Sequence, residues 1–308
     1  MLTSKLRALS VFSVAVTMAV AARAGVAADQ KLPFPAVQIT ADKWEPPTVT
    51  LEQAVAGLPA PSHGRTPLNI EEEHPTRTSI VLGAANTPGR FGAYYTTDVY
   101  FVNPNPTGQA RLNVYVLRHA TDNIANTAPA RSFSLPARGW FVSKDIMGQM
   151  NVTGGATILV ALDAAQSTGD STSFSTFAFT STPGPDGGRY GVNIHAVGAT
   201  FMDTVLDGWA IGVSVNEKSR TNLGVFNPST TSSLTVNARV YTNTGQQVAT
   251  IPITVPRCSF SQVAVGDYAS SVEDGLAWFA EGDGPYMAYM VVNDNITNDA
   301  NFQLATAR

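Results

Sequence analysis

The chain has 308 residues, of which 44% are hydrophobic and only 14% are charged, and its formal net charge is −4. This sparse, mildly acidic charge argues against nucleic-acid partners, which bind to clusters of Lys and Arg that the sequence lacks. The single cysteine, Cys258, excludes an intramolecular disulfide, so apolar burial has to stabilise the fold. We expect Cys258 to be a small, partly buried core residue.

Residues 1–28 have the pattern of a signal peptide. Lys5 and Arg7 give a positive start, residues 9–22 are mostly apolar and small, and small residues precede a cleavage point near Ala28. The apolar stretch is too short and too rich in Ala and Ser to span a bilayer well. We therefore expect an extracytoplasmic protein, periplasmic or secreted, with no membrane span in the mature chain.

Residues 29–75 are predicted to form a Pro-rich leader or linker, which packs loosely or stays partly disordered. One short helix is predicted within it, over residues 51–57. Thr48 or Thr50 is positioned to cap the start of this helix.

From residue 76 onward, short segments rich in Val, Phe, Tyr and Thr alternate with turn residues, which predicts β-strands. We predict two tandem antiparallel β-sandwich domains, at 76–200 and 201–308, joined by a Gly-rich loop over 183–208. Small helical turns are expected at 144–149 and 270–275. The predicted strands are 78–83, 93–103, 110–118, 131–136, 139–143, 156–163, 172–181, 209–214, 220–227, 234–242, 247–255, 258–264, 276–281 and 285–293.

The second half of the chain repeats the first. Asn103-Pro104 follows one strand-like segment, and Asn227-Pro228 follows another 124 residues later. Side chains alternate between the two faces of a strand, so the repeated apolar positions are expected to fill two similar cores. Trp140 corresponds to Phe260, and both are expected in the core. At the 124-residue offset the matching apolar positions are Leu112, Val114, Val116 and Val236, Ala238, Val240.

Three phrases resemble secreted Ig-like β-sandwich repeats that are found widely in bacteria such as acidobacteria and myxobacteria. Residues 220–228, RTNLGVFNP, resemble the "RTNLG-L-x-N" strand of that family. Residues 288–299 resemble its "Y-A-x-V-x-D-N-x-T-x-D" ending, and residues 184–191 resemble its "GG-x-Y-G" junction. The resemblance implies an extracytoplasmic module, often a domain of large surface or secreted proteins, and it implies no known activity or functional residue.

Catalytic signatures do not occur in the sequence. We find no G-x-S-x-G elbow, no H-E-x-x-H, no cysteine pair and no phosphate-binding loop, and we expect the protein not to be an enzyme. The four histidines are not at ligand spacing from one another, and each is expected to be an ordinary surface or hydrogen-bonded residue. They are His63, His74, His119 and His195.

Calcium is the best metal candidate, because hard oxygen donors cluster at Asp294, Asn295 and Asp299 after the last predicted strand. The alternative is that these groups cap the backbone of a turn. A second group of oxygen donors is Asp163, Asp170 and Ser171. No other cofactor is expected.

Tyr94 and Tyr95 are candidate binding residues, because they lie at a strand start where one of the two must face outward. We expect an exported, non-catalytic β-sandwich protein that serves as a structural, adhesion or binding module, with a protein or glycan partner at the cell surface. The alternatives are a carbohydrate-binding module or an accessory domain of a secreted hydrolase system, a hydrolase on a β scaffold, and a subunit of an assembly such as a pilus or surface layer. A carbohydrate-binding module needs a row of exposed aromatic residues on one face.

Overall fold

Alternation of apolar and polar side chains organises most of the chain into antiparallel strands, as the sequence predicts. We describe a computed structural model, which covers residues 44–56, 58, 78–169, 173–184, 187–197 and 207–307. Short 3-10 turns lie at Arg90–Gly92 and Val265–Asp267. The helices are α1 (Leu51–Ala56) and α2 (Ile146–Gln149). The strands are β1 (Thr78–Pro88), β2 (Tyr94–Val102), β3 (Ala110–Arg118), β4 (Ala130–Leu135), β5 (Trp140–Ser143), β6 (Gly154–Leu162), β7 (Ser175–Pro183), β8 (Arg189–His195), β9 (Gly208–Val215), β10 (Ser219–Asn227), β11 (Leu234–Tyr241), β12 (Gln247–Val255), β13 (Ser259–Ala264), β14 (Val272–Ala280), β15 (Met287–Asp294), β16 (Ala300–Leu304) and β17 (Thr306–Ala307).

The first eight strands form one hydrogen-bonded sheet in the order β4-β3-β6-β1-β2-β7-β8, with β5 also paired to β2. Pairing between β1 and β2 is confined to residues 87–88 and 94–95 at the turn of the hairpin. The parts on either side of this turn share one apolar core, so we name them sheet I (β4-β3-β6-β1) and sheet II (β5-β2-β7-β8). The core includes Val81, Val114 and Ile158 of sheet I and Phe101 and Phe141 of sheet II.

The remaining strands form two further antiparallel sheets. Sheet III has the order β13-β10-β15-β16, and sheet IV has the order β12-β11-β14-β9-β17. Their facing sides share a second core, which includes Leu223, Val225 and Met290 of sheet III and Val236 and Phe279 of sheet IV. The two halves of the chain pair their strands in the same order. Sheet IV has the order of sheet I with each strand number raised by eight and β17 added, and sheet III has the order of sheet II with each strand number raised by eight.

A third apolar cluster joins the two halves of the chain. The outer side of sheet I packs against the outer side of sheet III, and we call this contact the inner interface. Its buried side chains include Ile80, Leu82, Leu117 and Leu159 of sheet I and Phe226, Phe260, Met287 and Tyr289 of sheet III. The four sheets are therefore stacked in the order II, I, III, IV, and the described residues belong to one compact unit.

The described part of the leader packs on sheet I and is not loose. Helix α1 begins at a reciprocal cap, in which the Gln53 backbone N–H donates to Thr50 Oγ1 (3.2 Å) and the Thr50 N–H donates to Gln53 Oε1 (2.8 Å). Leu51 and Ala54 of the helix are buried in the inner-interface cluster. Ahead of the helix, Glu45 pairs with Ser132 of β4 through backbone hydrogen bonds of 2.8 Å in both directions.

The predicted helix and all fourteen predicted strands have counterparts in the structure. Three further expectations are wrong. The segment expected as a loop over 183–208 contains strand β8, and the turn expected at 270–275 leads into β14, which starts at Val272. Trp140 is not in the core, because Phe141 beside it faces inward and alternation turns Trp140 to solvent. The signal peptide, the leader up to residue 43, and Asp170 and Ser171 lie outside the described residues.

Candidate functional site

The C-terminal turn, which we define as residues 294–299, uses its carboxylates to hold its own backbone. Asp294 Oδ1 accepts the N–H groups of Ile296 and Thr297, each at 2.7 Å. These backbone hydrogen bonds, that from Thr297 foremost, hold the pKa of Asp294 below its usual range. Asp299 Oδ1 accepts the N–H of Gly191 at 3.0 Å, which ties the turn to strand β8.

A guanidinium group lies inside the C-terminal turn. Arg220 Nη1 donates to Asn295 Oδ1 at 2.8 Å, and Arg220 Nη2 donates to Asn298 Oδ1 at 3.1 Å. The Asn295 amide nitrogen donates in turn to the backbone carbonyls of Asn216 and Glu217. Within the described part of the chain, no three His, Cys, Asp or Glu side chains are grouped to hold a metal ion. Asp294, Asn295 and Asp299 each already accept a hydrogen bond within the protein. Calcium at these three residues stays a prediction.

The adjacent tyrosines have separate roles. Tyr94 is exposed and donates its hydroxyl to Asn86 Oδ1 at 2.8 Å. Tyr95 is half-buried and donates its hydroxyl to the Asn298 carbonyl at 2.8 Å, and burial raises the pKa of Tyr95. A Cβ atom on Gly89 would lie 2.5 Å from the Tyr95 ring, so glycine is required there. Tyr95 therefore links the first half of the chain to the C-terminal turn.

A cleft of about 810 Å³ lies beside Tyr95 at the rim of the inner interface, and its lining includes Arg90, His119, Arg220 and Asp267. His119 Nε2 accepts the backbone N–H of Gln262 at 2.9 Å, and the His119 ring meets the Phe260 ring edge-on with centroids 5.1 Å apart. The imidazole therefore fastens the two halves together. Among the described hydrogen bonds, none joins the His119 imidazole to a hydroxyl or carboxylate.

The outer side of sheet IV carries an aromatic surface, which we call the β14 face. Trp209 of β9 and Trp278 of β14 are directly opposite in the sheet, and the Tyr241 and Trp278 ring centroids are 6.5 Å apart. Ile211 is 65% exposed beside them. These residues line a groove of about 620 Å³ together with the acidic residues Asp207 and Asp274.

Trp278 is contacted on one side by Arg239, and its indole N–H makes no hydrogen bond within the described chain. The Arg239 guanidinium lies 5.1 Å from the Trp278 ring and forms an ion pair with Glu281. Trp278 Nε1 is buried and has no hydrogen-bond partner among the described residues. A buried indole N–H usually finds a partner, so this unpaired donor is unusual.

The outer side of sheet II carries a second aromatic surface, which we call the β7 face. Tyr100 and Phe177 are opposite residues whose rings stack 5.0 Å apart at 12°. Trp140 is 36% exposed and Phe177 is 38% exposed. Because Val102 pairs with Trp140 and lies two residues from Tyr100, all these side chains point to the same side of the sheet.

Two cations lie over the rings of the β7 face. The Lys144 ammonium is 5.7 Å from the Tyr100 ring, and the Arg189 guanidinium is 5.1 Å from the Phe179 ring. Both cations pair with the buried carboxylate of Asp98, at 2.8 and 2.7 Å. Burial alone would raise the pKa of Asp98, but the hydrogen bonds from Lys144 and Arg189 outweigh it and hold that pKa below its usual range.

Neither face is predicted as a site from the sequence. Trp140, Trp209 and Trp278 are the most conspicuous aromatic residues outside the leader, and core packing is the ordinary explanation for such residues. A signal was present in strand β9, where small Ala210 lies between Trp209 and Ile211. In a strand with one buried face, that alternation places the two large residues together on the other face.

No protein-family model and no curated protein matches the sequence. A solved structure of a glycosyl hydrolase family 2 member from Bacteroides cellulosilyticus aligns with 74% of this chain and 27% of that chain, at 12% identity and a TM-score of 0.15. This chain thus spans about a quarter of that enzyme, and a likeness this weak carries no argument about fold or activity. None of the helices in the described residues has the length and apolar character needed to cross a membrane.

Proposed function

We propose that the protein is an exported, non-catalytic structural or binding protein, in which two copies of one Ig-like β-sandwich module form a rigid body with an aromatic face at each end. The observation that carries this proposal is the pair of exposed aromatic surfaces, the β7 face and the β14 face, on the two outer layers of the stack. Large exposed apolar patches on soluble proteins mark sites of interaction. The amino-terminal sequence pattern supports export.

Matching loop caps support the duplication. Asn103 Nδ2 donates to the carbonyls of Leu135 and Pro136 at 3.2 and 3.0 Å. Asn227 Nδ2 donates to the equivalent carbonyls of Val255 and Pro256, also at 3.2 and 3.0 Å. In each case the amide oxygen accepts a backbone N–H two residues ahead. Two unrelated sandwiches would not be expected to share these three cap bonds at the same topological position.

Cell fractionation tests this function. The protein is produced with its own signal, and we expect it in the envelope or medium with a mature amino terminus at Asp29. Phe177→Glu in the β7 face and Ile211→Glu in the β14 face should release envelope-bound protein, because a carboxylate would have to be buried on binding. Ile296→Glu is the matched control, since Ile296 is 76% exposed in the C-terminal turn and belongs to neither face. Cytoplasmic location, or equal retention of all variants, would contradict the proposal.

A second candidate function is carbohydrate binding at the β14 face. Trp209 and Trp278 form an aromatic platform, and Asp207 and Asp274 at its edge can accept hydrogen bonds from sugar hydroxyls. Affinity electrophoresis in gels containing soluble polysaccharides tests this candidate. Retardation that Trp209→Ala removes and Ile296→Glu leaves intact would favour it over a structural role.

A further inference from the structure

The inner interface joins two surfaces whose equivalents are the two end faces of the stack. In sheet I, Ile80 pairs with Leu159, which in turn pairs with Tyr115. In sheet IV the same three strand positions are taken by Trp209 and Trp278, which pair with each other, and by Arg239, which pairs with Trp278. The β14 face is thus the counterpart of the sheet I surface that the second half of the chain covers.

The β7 face has the corresponding relation to sheet III. In sheet III, Phe226 pairs with both Phe260 and Met287. In sheet II, Val102 holds the place of Phe226, and its partner Trp140 holds the place of Phe260. By the same register, Phe177 holds the place of Tyr289, because each pairs with the strand residue two positions earlier in β2 or β10. The β7 face is thus the counterpart of the surface that docks on sheet I.

Burial separates the two sets of positions. At the inner interface Ile80, Leu159, Phe260 and Tyr289 are all within 2% of complete burial. At the end faces the counterparts Trp140 and Phe177 keep 36% and 38% of their surface in water, and Trp209 and Trp278 are partly exposed. One pair of complementary surfaces is used inside the chain, and a second pair of the same type has no partner within the described chain.

The charges of the two end faces are complementary. On the β7 face, Lys144 and Arg189 share the single carboxylate of Asp98, which leaves an excess of positive charge. On the β14 face, the groove edge carries Asp207 and Asp274, neither of which takes part in a described ion pair. Opposite charge on two surfaces favours their association and sets their orientation.

We propose that the β7 face of one copy docks on the β14 face of another, so that the inner interface is continued between molecules in a head-to-tail assembly. This inference rests on the proposed function and names its partner as a second copy of the chain. The two faces differ from each other, so the contact is heterologous, and each added copy leaves one face of each type free. Such a contact builds an open chain or a closed ring, and it does not stop at a symmetric dimer.

Sedimentation velocity of the purified mature protein, from about 1 µM to about 1 mM, tests the assembly. We expect the weight-average sedimentation coefficient to rise through a series of oligomers. Ile211→Glu alone and Phe177→Glu alone should each weaken association more than about thirtyfold, as for the loss of a binding hot spot. The control Ile296→Glu should behave as the unsubstituted protein. Thermal melts of all variants check folding, and Trp140→Glu replaces Phe177→Glu if the latter unfolds.

The most discriminating experiment is sedimentation velocity of a mixture of the two single-face variants. Ile211→Glu retains a working β7 face, and Phe177→Glu retains a working β14 face, so an equimolar mixture should form a one-to-one dimer and nothing larger. A monomer at every concentration of the unsubstituted protein, undiminished self-association of either single variant, or binding of a soluble glycan in place of a second copy would overturn the assembly. If face variants still lose envelope retention while the purified protein stays monomeric, the proposed function stands and this inference alone fails.

Discussion

The cap built by Asn227 makes a quantitative prediction for stability. Its Nδ2 group serves the carbonyls of Ser232, Val255 and Pro256, and its Oδ1 accepts the Ser229 N–H, all between 2.9 and 3.2 Å. The side chain is completely buried. Asn227→Ala removes these bonds and leaves buried backbone groups without partners, at a cost of about 1 to 3 kcal/mol for each uncompensated group. Water reaches the partly buried Ser232 and Pro256 ends, so we expect a total loss of about 3 kcal/mol.

Urea denaturation followed by circular dichroism measures this loss. In a unit of this size, about 3 kcal/mol also corresponds to a fall in melting temperature of roughly 6 to 10 °C. Asn103→Ala should cost as much as Asn227→Ala or up to about 1 kcal/mol more, because its cap has the equivalent bonds and its Oδ1 also accepts the Asn105 side-chain amide at 2.6 Å. Asn301→Ala, at an exposed position of β16, is the matched control and should change the free energy of unfolding by less than about 0.5 kcal/mol.

Replacement of Asn227 by Asp sharpens the test, because it keeps the acceptor and turns the donor into an oxygen that faces three carbonyls. We expect Asn227→Asp to be more destabilising than Asn227→Ala at neutral pH. A loss below about 0.5 kcal/mol for Asn227→Ala would refute the reasoning that this cap stabilises the loop. A large difference between Asn103→Ala and Asn227→Ala would refute the equivalence of the two halves.

Further predictions concern the leader helix, the cysteine, the buried ion pair and calcium. Thr50→Ala should lower the free energy of unfolding by about 1 kcal/mol through loss of the helix cap, as measured in urea. Burial raises the pKa of the Cys258 thiol to about 12, so Ellman's reagent at about pH 8 should label it slowly in the native protein and fast in denaturant. Lys144 and Arg189 stabilise the ionised carboxylate of Asp98, which lowers its pKa in the folded state. Ionised Asp98 therefore contributes stability above its unfolded-state pKa, and this contribution should be lost as the pH falls through the lower folded-state pKa. In urea melts, the loss of stability caused by Asp98→Asn should become smaller over the same pH range. A chelator should leave the melting temperature unchanged, because a guanidinium already lies inside the C-terminal turn; a lowered melting temperature would favour calcium there.

Strands with a long alternation were predictable, whereas three of the strands at sheet edges, β8, β16 and β17, were not predicted. β3 is predicted over its observed length because Leu112, Val114 and Val116 alternate without interruption. β8 alternates Val192 and Ile194, which pack in the first core, with glycine and polar residues, but this short pattern follows a Gly- and Pro-rich run that favours a loop. β16 also alternates apolar and polar residues, over only five positions. So short an alternation is weak evidence for a strand, and pairing with β7 and β15 decides these two elements.

The inner interface left a trace in the sequence that was not used. Residues 156–162 of β6 are apolar on both faces, apart from Thr157, and such a continuous run is typical of a strand buried on two sides. The end faces left a weaker trace, since a tryptophan on a strand is more often explained by core packing. Trp140 shows the difficulty, because only the inward position of Phe141 decides which of two adjacent aromatic residues is buried.

The double burial of sheet I has a consequence for dividing the chain into parts. A fragment ending near residue 200 would carry Ile80, Leu82, Leu117 and Leu159 into water on one continuous sheet surface. The complementary fragment would carry Phe226, Phe260 and Tyr289 in the same way. Each fragment would then be prone to aggregate or to associate with the other, although each contains a complete sandwich core. Retaining one apolar core and retaining solubility are therefore separate properties here, and a truncation near residue 200 would preserve the first and lose the second.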